Sequence, residues 1–197
     1  MPTGQIGPNA VIQVASVLAE WSGREVAEPL LHRATGYTMD HLPSSMVDER
    51  EPQALCRAVL HAYGPREARR ILHEGGIRTA EYLLANRIPR PAQWIIRALP
   101  RALGLRVLLA AVGAHAWTFA GSGRFRVVPT ARWPELEFAD CVMCRGLAEA
   151  EPMCDYYAGT FERLIRRLVS PDAVVMEIAC QGQGDPACRF RLEQMGS

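Results

Sequence analysis

Near the C-terminus two apolar, strand-like runs, AVVMEIA (residues 173–179) and CRFRLEQ (188–194), are separated by a turn built on Gly182-Gln183-Gly184-Asp185-Pro186. Such runs bounded by Gly, Asp and Pro read as an antiparallel hairpin. A hairpin brings Cys180 and Cys188, one at each edge of the turn, together, with Glu177 just before them. The preceding segment, MCDYYAGTFERLIRRLVS (153–170), spaces Tyr157, Phe161, Leu164, Ile165 and Leu168 as an amphipathic helix. That helix must lay its apolar face on the sheet, and Cys154 sits in its first turn.

Three thiols and a carboxylate thus converge as a four-coordinate set suited to Zn²⁺, which favours deprotonated sulfur. Four protein ligands leave no open position, so such an ion is structural. In a regular strand Glu177 and Cys180 point to opposite faces, so the strand must end or bulge between them, which Gly182 and Gly184 permit. The spacing is not a standard zinc-finger pattern, and on the residues alone buried cysteines at strand ends explain the hairpin equally well. A second pair, Cys141 and Cys144 in CVMC, has C-x-x-C spacing without a strand–motif–helix context. It reads as plain thiols near a loop that can compete as a ligand pair.

The chain has 197 residues, 49% of them hydrophobic, and a formal charge of +1. This composition supports a packed core and offers no field for nucleic acid. The N-terminus lacks the basic start and apolar run of a signal peptide. The most apolar segment, VLLAAVGAHAWTFA (107–120), is shorter than a membrane span. A cytoplasmic protein is expected, in which six cysteines point to metal or buried thiols before disulfides.

The first half reads as helical. Residues 9–23 carry Asn9 as an N-cap, Val11, Val14, Val17 and Leu18 on one face, and a stop at Gly23. Residues 51–64 and 65–86 form further helices, with Pro65 at a helix start and a break expected at Gly75-Gly76. Residues 90–117 predict two helices meeting near Pro100, and 36–50 a loop. From Ala116 to Pro129 the sequence predicts a hairpin turning at Gly121-Ser122-Gly123, and ELEF (135–138) another strand. The fold class is α+β, with residues 1–114 and 115–197 as helical and sheet-bearing regions of one domain and a mainly antiparallel sheet.

Cys154, the helix YYAGTFERLIRRL and the stretch MEIACQGQGDPACRF make residues 115–193 resemble the 4-vinyl reductase domain family. Gly184, Asp185, Cys188 and Phe190 match its G-D-x-x-C-x-F hairpin. The resemblance implies zinc held by Cys154, Glu177, Cys180 and Cys188, as in the family's phenol-sensing activators. It also implies the α/β ligand-binding fold of nitric-oxide-sensing and vesicle-tethering proteins, commonly a homodimer. The whole chain is similar to the stand-alone members of bacteriochlorophyll biosynthesis.

The family's name implies reduction of a vinyl group, yet the sequence offers no means for it. Gly121-Ser122-Gly123 lies in a predicted hairpin and opens no helix, so it is no nicotinamide cradle. The expected role is therefore to bind a magnesium tetrapyrrole, of magnesium protoporphyrin or protochlorophyllide type, and hand it to magnesium chelatase or the following methyltransferase. A vinyl reductase fed by an external reductant and an aromatic-ligand sensor are the alternatives. Candidate pocket residues are Trp94, Trp117, Phe119, Phe125 and above all Trp133, which lies where the phenol sensors carry a pocket tryptophan. Each is equally at home as core. His115 offers an axial ligand or a buried hydrogen bond, and Arg124 and Arg126 offer partners for propionates or a solvated face. Arg97, Arg101 and Arg106, beside Trp94, Ile95 and Ile96, suggest peripheral membrane contact or a solvated face.

Overall fold

The computed structural model describes residues 4–147 and 153–195. Helix α1 (Asn9–Ser22) buries Val11, Val14, Val17 and Leu18, the face expected from their spacing. Its cap, however, is Pro8. The backbone of Pro8 already has helical angles, which proline's fixed φ favours at a helix start. Asn9 is thereby drawn into the first turn, where its Oδ1 accepts from Gln13 Nε2 at 3.3 Å. Gly23, at φ 83°, ends α1 and turns the chain directly into α2 (Arg24–Thr35), a helix that the sequence pattern does not delimit.

The stretch 36–50 is more than loop. Strand β1 (Gln5–Ile6) pairs antiparallel with β2 (Val47–Asp48). Helix α3 (Arg50–Asn86) is bent at Gly64, φ 74°, immediately before Pro65, into the two expected pieces. The break expected at Gly75-Gly76 does not occur, because these glycines serve close packing. A Cβ on Gly75 would lie 2.9 Å from Val14 Cγ2, and one on Gly76 would lie 2.1 Å from the carbonyl oxygen of Tyr156. Tyr156 belongs to α6 (Asp155–Leu168), which crosses α3 here with backbone almost on backbone. Gly159 answers from the other helix, where a Cβ would meet the His73 oxygen at 2.2 Å. The Thr160 hydroxyl donates to the Gly76 carbonyl at 3.1 Å.

Helices α4 (Arg90–Ala98) and α5 (Arg101–Ala114) meet at Pro100 as expected. The strand expected before Gly121 is absent. Ala116–Thr118 form a 3₁₀ turn and Gly121 takes φ 59°. The reason is a tertiary anchor: Glu49 accepts the Ser122 N–H at 2.6 Å and its hydroxyl at 2.7 Å, which commits the backbone of this turn away from a hairpin. Burial opposes ionisation of Glu49, but these Ser122 hydrogen bonds and Arg145, at 3.0 Å, hold its carboxyl below the usual range.

Strand β3 (Arg124–Val128) pairs instead with β4 (Glu135–Ala139), Phe125 opposite Phe138. With β5 (Val174–Ala179) and β6 (Cys188–Glu193) they form an antiparallel sheet in the order β3-β4-β6-β5. Helix α6 is buried between α3 and this sheet. Tyr157 stacks on Phe138 with ring centres 4.4 Å apart, and Phe161 packs against Phe125 at 5.7 Å and Phe190 at 6.2 Å. The expected α+β class, with a helical first half on an antiparallel sheet, is the architecture observed.

Candidate metal centre

Cys154 is the residue from which α6 starts, and its backbone N–H donates to Glu177 Oε2 at 2.8 Å. Glu177 stands on β5 where the register with β6 slips between Glu177 and Ala179. That irregularity is the bulge which the Glu177–Cys180 spacing requires, and it turns both side chains the same way. Cys180 closes β5 in extended conformation, and its N–H donates to Asp185 Oδ2 at 2.8 Å. Gly184, at φ 96°, returns the chain toward Cys188, the first residue of β6.

The sulfurs of Cys154, Cys180 and Cys188 and a Glu177 oxygen all lie within 4.8 Å of one another. Cys188 Sγ is 3.6 Å from Cys154 Sγ and 4.0 Å from Cys180 Sγ. The edge of a tetrahedron with zinc–sulfur bonds of about 2.3 Å is roughly 3.8 Å, so a zinc ion fits the donor set. Glu177 Oε1 is a second sign: it is buried with no hydrogen-bond partner. Burial first, and the neighbouring Cys180 next, push the Glu177 carboxyl up to about 9. A cation is what would keep it ionised.

Cys141 and Cys144 are not apart from this cluster, as a loop reading of them suggests. Cys141 Sγ is 3.5 Å from Cys154 Sγ, and Cys144 Sγ is 3.3 Å from Cys188 Sγ. Cys141, Cys144, Cys154 and Cys188 form a second group within 4.8 Å, all four buried. Crowded sulfurs perturb one another: the Cys144 thiol is pushed down and those of Cys154 and Cys188 up, in each case first through Cys141. The C-x-x-C spacing was the available signal. What fixes the pair is tertiary. The Cys141 N–H donates to Gln181 Oε1 at 2.6 Å, and Arg145 donates to Glu49 at 3.0 Å and to the Asp140 carbonyl at 2.8 Å. The sixth cysteine, Cys56, is buried against Met143 Sδ at 3.8 Å and lies outside both groups.

Residues 134–194, which carry this centre, match the model of the vinyl-4-reductase (V-4-R) domain. Over 192 residues the sequence is 44% identical to the bacteriochlorophyll synthase 23 kDa chain of Cereibacter sphaeroides, covering 98% of this chain and 92% of the relative. The chain belongs to the family of the bacteriochlorophyll synthase 23 kDa chain. The Rhodobacter capsulatus 23 kDa chain is 40% identical over 196 residues, 98% of this chain and 88% of its own. Among solved structures, an H-NOX protein from S. oneidensis in the Fe(II)NO ligation state aligns over 95% of this chain and 98% of its own, with a TM-score of 0.58 and 12% identity. That likeness establishes the fold, in agreement with the expected nitric-oxide-sensor architecture.

In this 23 kDa-chain relative the eight predicted pocket residues are dispersed. Phe119 and Phe125 pack edge-on at 5.3 Å in the aromatic layer around α6. Trp94 and Trp117 are each 65% exposed, on α4 and on the 3₁₀ turn. His115 is exposed, with Nδ1 2.8 Å from the Ala111 carbonyl oxygen. Arg124 pairs with Asp140 at 3.2 Å and Arg126 with Glu137 at 2.6 Å, on the open face of β3. Trp133 alone of the eight lines an open cleft of about 610 Å³, with Thr130, Arg132, Glu135, Arg191 and Leu192.

Proposed function

We propose that this protein binds a magnesium tetrapyrrole of bacteriochlorophyll synthesis, without transforming it, and presents it to magnesium chelatase or to the methyltransferase that follows. Zinc on Cys154, Glu177, Cys180 and Cys188 braces the fold. The observation that carries the reading is the whole-length likeness to bacteriochlorophyll synthase 23 kDa chains, which supports a role in that pathway. The Trp133 cleft supplies suitable chemistry. Its volume lies in the range of small-molecule sites, the indole offers a flat apolar face, and Arg132 and Arg191 offer cationic partners for ring carboxylates. Titration with magnesium protoporphyrin at about micromolar concentration should shift the Soret band without turnover. Trp133→Ala should weaken binding about tenfold, or about 1.4 kcal/mol. Absence of binding would remove the reading. Loss of the ligand's vinyl signal on adding a reductant would replace it with catalysis.

Peripheral membrane contact is part of the same proposal. Among the described residues no helix is long and apolar enough to cross a bilayer, but the α4–α5 pair has interfacial chemistry. Between Glu81 and Glu135 the sequence contains eight arginines and no acidic residue. Trp94, Ile95, Leu103, Val107 and Trp117 are exposed there, whereas Ile96, expected beside them, turns into the core. An apolar patch ringed by arginine suits an anionic headgroup layer. The protein should sediment with vesicles containing phosphatidylglycerol and remain in solution with phosphatidylcholine alone. Trp94→Ala combined with Ile95→Asp should abolish the difference, and equal behaviour of wild type with both vesicles would refute membrane contact.

A further inference from the structure

We infer that the cysteine cluster is a two-metal centre, in which Cys154 and Cys188 bridge two zinc ions. One ion takes Cys141 and Cys144 as its remaining ligands, the other Glu177 and Cys180. The second ion and its two further ligands extend the zinc reading above and rest on it.

The number of donors decides between one ion and two. Two tetrads of possible ligands share Cys154 and Cys188 and together contain five sulfurs and one carboxylate. A single tetrahedral ion uses four donors and strands two. Placed in the Glu177 set, it leaves Cys141 and Cys144 as thiols wedged 3.5 Å and 3.3 Å from coordinated sulfurs, where thiol hydrogen bonds return little. Placed in the four-cysteine set, it leaves Glu177 Oε1 buried and unpartnered, at a cost of about 1–3 kcal/mol or more. Two ions use all six donors.

The shared sulfurs are the ones that geometry favours as bridges. Cys154 and Cys188 are 3.6 Å apart and belong to regular elements, the start of α6 and the start of β6. The terminal donors come from the loop at 141–144 and from the bulged end of β5. Six-cysteine two-zinc modules show that such a donor number suits two zinc ions; here a carboxylate takes the place of one thiolate. Two divalent ions against five thiolates and a carboxylate leave about the same negative charge as one zinc with four thiolates. On binding, each thiol proton passes to solvent and no electron moves.

The second ion would also have a mechanical consequence. The loop carrying Cys141 and Cys144 is tied to the hairpin by Gln181 and to the helical half by Arg145 and Glu49. Coordination of that loop makes the centre a joint among hairpin, α6 and the helical half.

Elemental analysis of full-length protein purified without chelator tests this, with cobalt reconstitution as an independent readout. Wild type should carry about two zinc ions per chain, and Cys141→Ser/Cys144→Ser and Glu177→Ala about one each. Cobalt added to the metal-free wild type should give a magnetically coupled pair at two equivalents, with an attenuated paramagnetic signal per ion. The double variant should give the full mononuclear signal. The cobalt titration of wild type does not depend on how well the variants fold. One zinc in wild type, unchanged in Cys141→Ser/Cys144→Ser, overturns the two-metal centre and leaves the Glu177 site standing. One zinc lost in that variant but kept in Glu177→Ala overturns both assignments in favour of the four-cysteine set. No metal in any form removes the zinc reading itself.

Discussion

Cys188→Ser is expected to strip the centre of metal and to lower the melting temperature more than loss of any terminal ligand. Cys188 Sγ belongs to both ligand groups, lies 3.3 Å from Cys144 and 3.6 Å from Cys154, and accepts the Gln181 backbone N–H at 3.4 Å. A serine hydroxyl is a hard, weakly acidic donor that does not replace a bridging or terminal thiolate on zinc. Structural zinc contributes about 10–16 kcal/mol in small zinc-finger peptides that have no other core. This protein keeps its own hydrophobic core around α3, α6 and the sheet, so only the local share is lost. That share should be about 4 kcal/mol, or a fall of roughly 8–16 °C in Tm for a domain of this size. Cys56→Ser is the control, because Cys56 is equally buried but lies outside both ligand groups. It should retain full metal content. Elemental analysis with thermal melts decides the matter: a Cys188→Ser protein with undiminished zinc would mean that the ion sits elsewhere.

The same residues show how far the sequence discloses the site. Cys180, Cys188 and Glu177 were legible because a hairpin turn is a local feature, coded by Gly182, Gly184 and Pro186 within a few residues. Even the bulge followed from parity, since Glu177 and Cys180 cannot share a face of a regular strand. The start of α6 at Cys154 followed from helical periodicity. The approach of Cys141 and Cys144 did not, because it depends on Gln181, forty residues on, and on Arg145 reaching Glu49 across most of the chain. Glycine was the other point of divergence. Gly64 does bend its helix, Gly121 belongs to an anchored turn where a hairpin was expected, and Gly75-Gly76 do not break theirs. A glycine is equally suited to ending an element and to letting two backbones touch, and only the partner distinguishes the two uses. The pocket residues failed to converge for a similar reason. An aromatic side chain fits core, cleft and surface alike, and Phe125, Trp133 and Trp117 occupy one of each.

Gly76→Ala should destabilise the protein by about 3 kcal/mol, against the direction that helix propensity alone gives. In an isolated helix, alanine for glycine is favourable by about 1 kcal/mol. At Gly76 the new Cβ would stand 2.1 Å from the Tyr156 carbonyl oxygen and 2.8 Å from the Thr160 nitrogen. Both are backbone atoms of α6, so relief requires the helix itself to move, which is the costly form of overpacking. Movement of α6 also lengthens the Thr160 hydrogen bond to the Gly76 carbonyl and displaces Cys154, two residues before Tyr156. The variant should therefore release zinc to a chelator faster than wild type, coupling a helix crossing to the metal centre. Gly113→Ala provides the opposite case. Gly113 lies in α5 with nothing within 4 Å of an added Cβ, so propensity acts unopposed and a gain of up to about 1 kcal/mol is expected. Urea denaturation of the two variants reads the contrast directly. If Gly76→Ala matches or exceeds wild-type stability, α3 and α6 do not cross at the distance described, and Cys154 is positioned by something other than that contact.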